Sequence, residues 1–343
     1  MPLPLYTKTD TRIKKIIGVA AGKGGVGKSF VAANLARALK ARGYQVGLLD
    51  GDLYGPSLKK MLPVQIPPKK EQERWLPGVA EGIRLLSLAH FCPDGDSFAV
   101  RAPIATRLIQ EFLTQTDWGP LDALIIDFPP GTGDIQLTIA QKVSLEAVFL
   151  VTTPQSIATN DVRRAWHAFD KMGVPLAGLI ENMSYFIDPH GQKHFPFGQG
   201  GGALLSKELK APLLASLPLS EELSRFSDKG SSLFAESGLK EVQNIFFKLA
   251  EIAIAFESPK GISHIAPLGP FAFGIEWSDG LKQRFELAEL QAHCPCASCQ
   301  GAGKTLGPVR AKGILEAGRY AIKIDFETGC KNGIFTHDFL RGL

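Results

Sequence analysis

The chain has 343 residues and a formal charge of +4, from 38 lysines and arginines against 34 aspartates and glutamates. At about 100–200 residues per domain this length predicts two domains, and a composition that is 45% hydrophobic and 21% charged excludes a disordered or fibrous chain. No basic run marks a nucleic-acid-binding arm, residues 1–15 lack the apolar core of a signal peptide, and no apolar stretch reaches the roughly 18 residues that span a bilayer. We therefore expect a cytoplasmic protein that binds neither nucleic acid nor membrane.

The first three-quarters of the chain alternates short apolar runs with segments of helical length. Apolar runs without polar alternation are typical of strands buried on both faces of a parallel sheet. The alternation predicts an α/β fold with a doubly wound, mostly parallel sheet, and the Gly- and Pro-rich stretches 63–78 and 190–202 are predicted as long surface loops. The predicted strands cover residues 16–20, 46–50, 83–88, 123–127, 147–152, 176–181 and 213–217, and helices are predicted over 28–42, 104–115 and 239–256.

A composition change divides the chain near residue 259. The stretch 259–270 holds three prolines and little periodic pattern, so we predict a linker there. It separates an α/β domain over 1–258 from a small β-rich domain over 271–343. A domain of that size often needs a metal ion or another staple, because its core is small.

A glycine-rich loop over residues 22–29 reads GKGGVGKS, follows a predicted strand and opens a predicted helix. It fits the phosphate-loop pattern G-x-x-x-x-G-K-[ST] completely, in which backbone N–H groups and the helix N-terminus face phosphate oxygens. Lys28 is expected to reach the β- and γ-phosphates of ATP, and the Ser29 hydroxyl to ligate Mg²⁺. The predicted nucleotide-contacting residues of this segment are Gly22, Lys23, Gly24, Gly25, Val26, Gly27, Lys28, Ser29 and Phe30.

Carboxylates end two of the predicted strands. Asp50 ends one strand and Asp52 follows it, while Asp127 ends the apolar strand 123–127. At the carboxyl end of a parallel sheet, beside a phosphate loop, such groups are placed to orient a water and a hydrated metal ion. Asp127 is therefore expected to hold Mg²⁺ through water, and the glycines of 129–134 to form a switch that senses the γ-phosphate.

A second lysine inside the loop, Lys23, gives the form K-G-G-x-G-K-[ST], which resembles the deviant Walker A loop of the MinD, Mrp, ParA and nitrogenase iron protein superfamily. Over residues 12–235 the segments GKGGVGKS, DGDLYGPS, IIDFPPGTGD, VTTPQSIATNDVRR and ENMSYF follow in this order. They are similar to the Mrp/ApbC family of iron–sulfur cluster carrier ATPases. The resemblance implies a homodimer with weak ATP hydrolysis, in which Lys23 contacts nucleotide across the interface and Asp52 positions the attacking water. It also implies Asn182 near the adenine.

One segment departs from that family. Its members usually carry a C-P-x-C pair just after ENMSYF that bridges a cluster between subunits, whereas residues 187–191 here read IDPHG. Carboxylate and imidazole replace thiolates poorly on iron–sulfur clusters, which are normally held by four cysteines. The usual interface site is therefore missing from this sequence. In this respect the chain resembles some plastid-type members of the family.

Four of the five cysteines lie after residue 290, and Cys294, Cys296 and Cys299 fall within six positions. Three thiolates so close repel one another unless they are protonated or bound to a cation, so we predict a metal site. The isolated Cys92 is interpreted as incidental. An odd cysteine count without a secretion signal argues against a disulfide framework.

The surrounding segments IEWSDG, CPCASC and FETGCKNGIFTHDFLRGL resemble the N-terminal module of γ-butyrobetaine hydroxylases. That module binds zinc through three cysteines and a later histidine, and the corresponding turn here carries Cys330. The resemblance thus implies Cys330 as the fourth ligand, with His293 and His337 as less favoured substitutes. Four cysteines suit both structural zinc and a [4Fe–4S] cluster, and we favour the cluster slightly.

The favoured hypothesis is an ATPase that carries or assembles iron–sulfur clusters for apo-proteins. Lys23, Lys28 and Asp52 are its predicted catalytic residues, and ATP binding is expected to close the homodimer. One alternative is a positioning ATPase similar to MinD or ParA, although the chain shows neither a membrane-binding amphipathic end nor a strongly basic face. Another alternative keeps the ATPase and makes the second domain a zinc-stapled adaptor for partner proteins.

Overall fold

The computed structural model describes residues 5–6, 12–91, 102–235, 239–257, 261–294, 308–317, 321–330 and 333–343, with no side-chain description for 5, 6 and 102. The chain forms two compact units. The larger one comprises Asp10–Ala140 and Leu145–Phe256, and the smaller one comprises Met1–Thr9, Gln141–Ser144 and Glu257–Leu343.

The strands are numbered in chain order over the described residues. They are β1 (Leu5–Tyr6), β2 (Ile16–Ala21), β3 (Val46–Asp50), β4 (Lys69–Glu71), β5 (Arg74–Leu76), β6 (Gly78–Ala80), β7 (Ile83–Leu86), β8 (Ala123–Asp127), β9 (Ala147–Thr152), β10 (Leu176–Ile187), β11 (Lys193–His194), β12 (Leu213–Pro218), β13 (Ile262–Pro267), β14 (Ala272–Trp277), β15 (Lys282–Glu286), β16 (Ala311–Ala317), β17 (Ala321–Phe326) and β18 (Gly333–Thr336).

The helices are numbered in the same way. They are α1 (Lys28–Ala41), α2 (Leu58–Met61), α3 (Ala102–Thr114), α4 (Asp134–Lys142), α5 (Ser156–Lys171), α6 (Gly201–Leu209), α7 (Glu221–Lys229), α8 (Lys240–Ala255), α9 (Leu287–Ala292) and α10 (His337–Arg341), with short 3₁₀ turns at Leu88–Phe91 and Leu233–Ala235.

The larger unit is built on one sheet in the order β11-β10-β9-β2-β8-β3-β7-β6, with β12 also paired to β10. The pairs from β12 through β7 are parallel, and only the flanking strands β11 and β6 run antiparallel. Strands β2, β3, β8 and β9 are buried along their whole length. The predicted α/β fold with a doubly wound, mostly parallel sheet is confirmed.

Helix α1 connects the sheet to the largest apolar core of this unit. Most of its residues are buried, and it packs on α8, where the rings of Phe30 and Phe246 meet edge to face with centroids 5.8 Å apart. Because the helix begins at Lys28, directly after the glycine-rich loop, burial of α1 also fixes the position of that loop.

Three segments predicted as irregular contain strands, and one of them, residues 190–202, includes the two-residue strand β11. Residues 63–78, predicted as a surface loop, include the hairpin β4–β5; its strands are short and charged, and their main anchor is Trp75, which packs against Phe91 and Phe112. Residues 259–270, predicted as a linker, include β13, an edge strand paired with β14. Pro267 ends that strand, a place where a missing N–H costs little. The predictions of irregular structure are therefore wrong over these strands.

Over its described residues after 257, the smaller unit contains two mainly antiparallel sheets and the short helices α9 and α10, which confirms the predicted small β-rich region. One sheet has the order β1-β16-β17-β18 and the other β13-β14-β15. Their shared core contains large side chains that are almost fully buried: Phe273, Trp277, Phe326 and Phe335. Within the described part of the chain, no helix is both long enough and apolar enough to cross a membrane.

Candidate nucleotide site and cysteine cluster

The glycine-rich loop joins the carboxyl end of β2 to the first residue of α1. Gly25 and Gly27 have φ angles of 78° and 86°, in the left-handed region that glycine adopts without steric cost. Gly27 also faces the side chain of Asn182, whose Nδ2 lies 2.1 Å from where a Cβ would stand. The loop conformation and its close contacts therefore require glycine at these positions.

Gly22 is constrained by a second contact. A Cβ at this position would lie 2.1 Å from the backbone carbonyl carbon of Asp161 in α5. A Cβ at Gly24, two residues further on, would have no atom within 4 Å, and the φ angle of Gly24 is not positive. The loop is thus pressed against α5 at its start and open at its middle, the side from which a phosphate can approach.

Three charged side chains meet beneath the loop. Asp50 and Asp127 end the neighbouring parallel strands β3 and β8 and lie opposite each other in the register. The Lys28 Nζ donates to Asp127 Oδ1 at 2.5 Å and lies 3.8 Å from Asp52 Oδ2. Lys28 is only 5% exposed, and Asp50 and Asp127 are 1% and 0% exposed, so two carboxyl groups and one ammonium group share a nearly water-free space.

Burial shifts the acidity of both strand-end carboxyls. Removal from water and the charge of Asp127 raise the pKa of Asp50 to about 7, while Lys28 and a hydrogen bond from Ser87 oppose the rise. Burial likewise raises the pKa of Asp127, opposed by the Lys28 ammonium and the Ser29 hydroxyl. Desolvation favours the neutral form of a carboxyl group, so the region gains from any further cation.

The donor set suits Mg²⁺. Among the described residues Asp127 Oδ2 is buried without a hydrogen-bond partner, and the Ser29 hydroxyl is within hydrogen-bond reach of the Lys28 ammonium, at 3.4 Å. A carboxylate oxygen and a hydroxyl oxygen are hard ligands of the kind that Mg²⁺ takes beside substrate phosphates. Ser29 and Asp127, the two residues predicted for this ion, thus lie in one place with one oxygen unsatisfied.

The loop after β3 holds Asp52 beside this cluster. The Asp52 N–H donates to Asp50 Oδ1 at 3.1 Å, and Asp52 Oδ1 accepts from the Gly55 N–H at 3.1 Å. In the predicted switch 129–134, the Gly131 N–H donates to the Ala21 carbonyl at 3.1 Å, at the start of the glycine-rich loop. The loop after β3 and the predicted switch are therefore both tied by backbone N–H groups to the elements that carry the site.

Two other predicted residues belong to this site: Lys23 lies inside the loop, and Asn182 lies beside it. Lys23 is partly exposed, and among the described residues it makes no ion pair. Asn182 is buried at the end of the parallel part of β10, and its Nδ2 donates to the Val26 carbonyl at 2.9 Å. Asn182 thus supports the glycine-rich loop directly.

Two side chains in this region escaped the sequence analysis. Glu181 is buried and accepts from the Ser184 hydroxyl and from the Gly202 N–H, each at 2.6 Å, which ties β10 to the first turn of α6. Ser87 is fully buried, and its hydroxyl donates to Asp50 Oδ2 at 2.8 Å. The ENMSYF segment contained the signal for Glu181, whereas Ser87 stands outside every motif.

The segment that replaces the C-P-x-C pair closes a hairpin. Strand β10 continues to Ile187, and the carboxylate of Asp188 then accepts from the backbone N–H groups of His190 and Gln192 and contacts His194 Nε2 at 2.8 Å. These contacts lower the pKa of Asp188. The aspartate therefore serves the turn itself.

In the smaller unit, two of the four predicted metal ligands lie together. Cys294 follows α9 and Cys330 follows β17, and their Sγ atoms are 3.6 Å apart although 36 residues separate them. Both thiols are buried, at 8% exposure, in the core around Trp277. Cys296 and Cys299 lie outside the described residues, as does Cys92, and no group of three metal-ligating side chains occurs within the described part of the chain.

The two histidines considered as substitutes have other surroundings. His293 is exposed, with its Nδ1 2.9 Å from the Glu289 carbonyl oxygen of α9. The His337 ring packs edge-on against Trp277, with centroids 5.4 Å apart. Among the described candidates for the fourth ligand, Cys330 is thus the one whose sulfur atom lies against that of Cys294.

A glycine-rich loop between a buried parallel strand and a helix, with carboxylates at the ends of the two adjacent strands, defines a P-loop nucleoside triphosphatase. Residues 12–254 match the ParA family model, described as NUBPL iron-transfer P-loop NTPase. The chain belongs to that family. Residues 272–341 match a second model, the γ-butyrobetaine hydroxylase-like N-terminal domain, so both resemblances noted in the sequence are confirmed.

Individual relatives agree with this assignment. An iron–sulfur cluster carrier protein of Aquifex aeolicus is 41% identical over 73% of this chain and 70% of its own length. The chloroplastic Fe-S cluster assembly factor HCF101 of Arabidopsis thaliana is 41% identical over 69% of this chain, which spans only 44% of that protein. Among solved structures, a nucleotide-binding protein of Archaeoglobus fulgidus in complex with ADP is 32% identical, covers 67% of this chain and 92% of its own, and superposes with a TM-score of 0.58.

Substitution of alanine should lower stability at Gly22 and leave it nearly unchanged at Gly24. In Gly22→Ala the new methyl group meets backbone atoms of α5 that cannot move independently, so we expect a loss of about 1–3 kcal/mol in the free energy of unfolding. Gly24→Ala, the matched control, should change it by less than about 0.5 kcal/mol. Urea unfolding without nucleotide measures both, and equal losses in the two variants would contradict the contact with Asp161.

The raised pKa of Asp50 predicts a specific pH dependence of stability. Because its folded-state pKa of about 7 lies above the ordinary value of 3.8, the folded chain binds this proton more tightly, and its contribution to stability is lost as the pH rises through 7. The stability difference between pH 5 and pH 8 should therefore shrink in Asp50→Asn.

The control for that measurement is Asp122→Asn. Hydrogen bonds from Lys14 and the Gln45 N–H lower the pKa of Asp122, so its titration falls outside this pH window and the variant should keep the wild-type difference. An unchanged difference in Asp50→Asn would show that Asp50 is ionised throughout.

Proposed function

We propose that the chain is an ATP-dependent iron–sulfur cluster carrier, which binds and hydrolyses ATP as a homodimer and passes clusters to apo-proteins. Membership of the iron-transfer P-loop NTPase family supports the nucleotide part. The names of the relatives, carrier protein and assembly factor, support the cargo. The observation that carries the proposal is the coexistence of a complete phosphate site and a buried pair of thiols in one chain.

The residues beneath the glycine-rich loop can perform the nucleotide chemistry. Lys28 would exchange its contact with Asp127 for the β- and γ-phosphate oxygens, since a phosphate carries more charge than the carboxylate it replaces. Mg²⁺, held by Ser29 and Asp127, would supply neutralising charge on the same phosphates. Asp52, fixed by its bonds to Asp50 and Gly55, would orient the attacking water. Lys23, partly exposed, would contact nucleotide in the second subunit.

The cargo requires thiolates, and their distribution in the chain indicates where it would bind. Of five cysteines in the sequence, Cys92 alone precedes residue 290, so a cluster bound through cysteine must use the smaller unit. Cys294 and Cys330 already stand together there, and Cys296 and Cys299 follow Cys294 within five residues. We therefore assign the cargo site to these four cysteines.

A second function for the same cysteines, a zinc-stapled adaptor, is favoured by one distance. A tetrahedral ion with sulfur bonds of about 2.3 Å holds two thiolates about 3.8 Å apart, close to the observed 3.6 Å between Cys294 and Cys330. Thiolates on a [4Fe–4S] cluster bind different irons and are farther apart. The distance fits a single shared ion, and the burial of both thiols fits a structural role.

Removal of the phosphate-loop lysine should abolish turnover. In Lys28→Ala we expect the rate of ATP hydrolysis to fall about 100-fold or more, as when a group that stabilises transition-state charge is lost. Phosphate release measured with the full chain tests this, with Lys40→Ala at the far end of α1 as the control. Retained turnover in Lys28→Ala would refute the site.

The nature of the metal can be determined by anaerobic reconstitution of the full chain with iron and sulfide, followed by absorption spectra and by iron, sulfide and zinc analysis. We expect a bound cluster that Cys330→Ser loses and Cys92→Ser retains. Stoichiometric zinc that iron and sulfide do not displace would support the adaptor instead. Unchanged metal content in Cys330→Ser would overturn the ligand assignment.

A further inference from the structure

The carboxylate of Asp50 is 1% exposed and lies at the centre of the site. It lies beside Asp127 on the adjacent strand, and both its oxygens are engaged: Oδ1 accepts from the Asp52 N–H at 3.1 Å and Oδ2 from the Ser87 hydroxyl at 2.8 Å. A buried carboxylate without such donors is strongly destabilised. Its orientation is therefore fixed by these two hydrogen bonds.

Ser87 reaches this carboxylate because of the sheet register. Strand β7 runs parallel to β3, with Leu86 opposite Leu49, so the residue that follows β7 stands beside Asp50 at the carboxyl edge of the sheet. Ser87 is fully buried, and its oxygen also accepts from the Ala89 N–H at 3.3 Å. With that acceptor contact made, the hydroxyl proton is directed toward Asp50.

The chain of contacts ends at the residue predicted to hold the attacking water. The hydroxyl of Ser87 orients Asp50, Asp50 holds the backbone N–H of Asp52, and the Asp52 carboxylate then faces Lys28 at 3.8 Å. No link in this chain contributes a phosphate ligand. A fault in it should therefore alter how the water is held and leave nucleotide binding intact.

We propose that Ser87 is a positioning residue for hydrolysis, which sets the place of Asp52 through Asp50. The inference rests on the proposed ATPase activity. Without the hydroxyl, Asp50 loses its donor to Oδ2 and is free to rotate, and the Asp52 backbone moves with it. Because a misplaced reacting group lowers the rate by orders of magnitude while binding survives, the effect falls on kcat rather than on KM.

The experiment is steady-state ATP hydrolysis by full-length Ser87→Ala. We expect kcat to fall about 10- to 100-fold, the size of one hydrogen bond to a charged group, with KM for ATP within about threefold of wild type. The matched control is Thr116→Val, which removes another buried hydroxyl of the same unit, one that donates to the Phe112 carbonyl of α3 and contacts no residue of the proposed chain of hydrogen bonds; its kcat should not change.

Two further variants separate positioning from a packing defect. Ser87→Cys keeps the volume and a weaker donor, so its kcat should lie between those of wild type and Ser87→Ala, and it serves if Ser87→Ala does not fold. Ser87→Ala should have little further effect when added to Asp50→Asn, because both changes break the same chain of contacts.

The outcomes distinguish this inference from the function on which it rests. An inactive wild type that also fails to bind ATP sinks both. An active wild type with kcat in Ser87→Ala equal to that of Thr116→Val, with KM raised as much as kcat is lowered, or with additive losses in the double variant, overturns the role of Ser87 alone.

Discussion

The structure of the larger unit depends on two carboxylates and one ammonium group that share a nearly dry space. Asp50 and Asp127 are there because parallel strands bring their carboxyl ends to one edge, and Lys28 is there because α1 must begin directly after the loop. Each charge would be costly alone, and each is tolerated because the others are present. The charges of this site are therefore balanced only when a further cation and a phosphate bind.

The hydrogen bonds around this centre explain why the flanking segments are so closely specified. Asn182 contacts the loop at Val26, Gly131 ties the predicted switch 129–134 to Ala21, and Asp50 ties the loop after β3 to the end of that strand. Each of these contacts involves a backbone group. A movement of the predicted switch is therefore coupled, through Ala21, to the start of the glycine-rich loop.

Sequence patterns were sufficient for the parts of the fold that are buried on both faces. The strands at 46–50, 123–127 and 147–152 are predicted to the residue, because a short continuous apolar run bounded by polar residues is typical of a buried strand. The hairpin β4–β5 could not be read in this way, since its residues are mostly charged and a single tryptophan anchors it. Strand β13 lacks a clear sequence signal for a related reason: its side chains are largely exposed, and an edge strand tolerates proline.

The same distinction applies to the candidate site. The glycine-rich loop and the strand-end carboxylates each lie in a short segment with its own motif, so the sequence predicts them. Ser87 and the Cys294–Cys330 contact depend on register and on tertiary packing between segments far apart in the chain. Spacing predicts that Cys294, Cys296 and Cys299 form a set, and the family resemblance implies Cys330 as the fourth ligand. Only the folded chain shows that the buried sulfur atoms of Cys294 and Cys330 lie 3.6 Å apart.

Strand β1 has a consequence for how the smaller unit can be handled. Residues 5 and 6 pair in parallel with Ile314 and Leu315, on the outer side of β16. A fragment beginning at residue 257 would lack that partner and would present the unpaired backbone of β16 to solvent, an invitation to intermolecular strand addition. Residues 5–6 and the segment after residue 257 thus belong to one compact unit, and removal of β1 exposes an edge of its sheet.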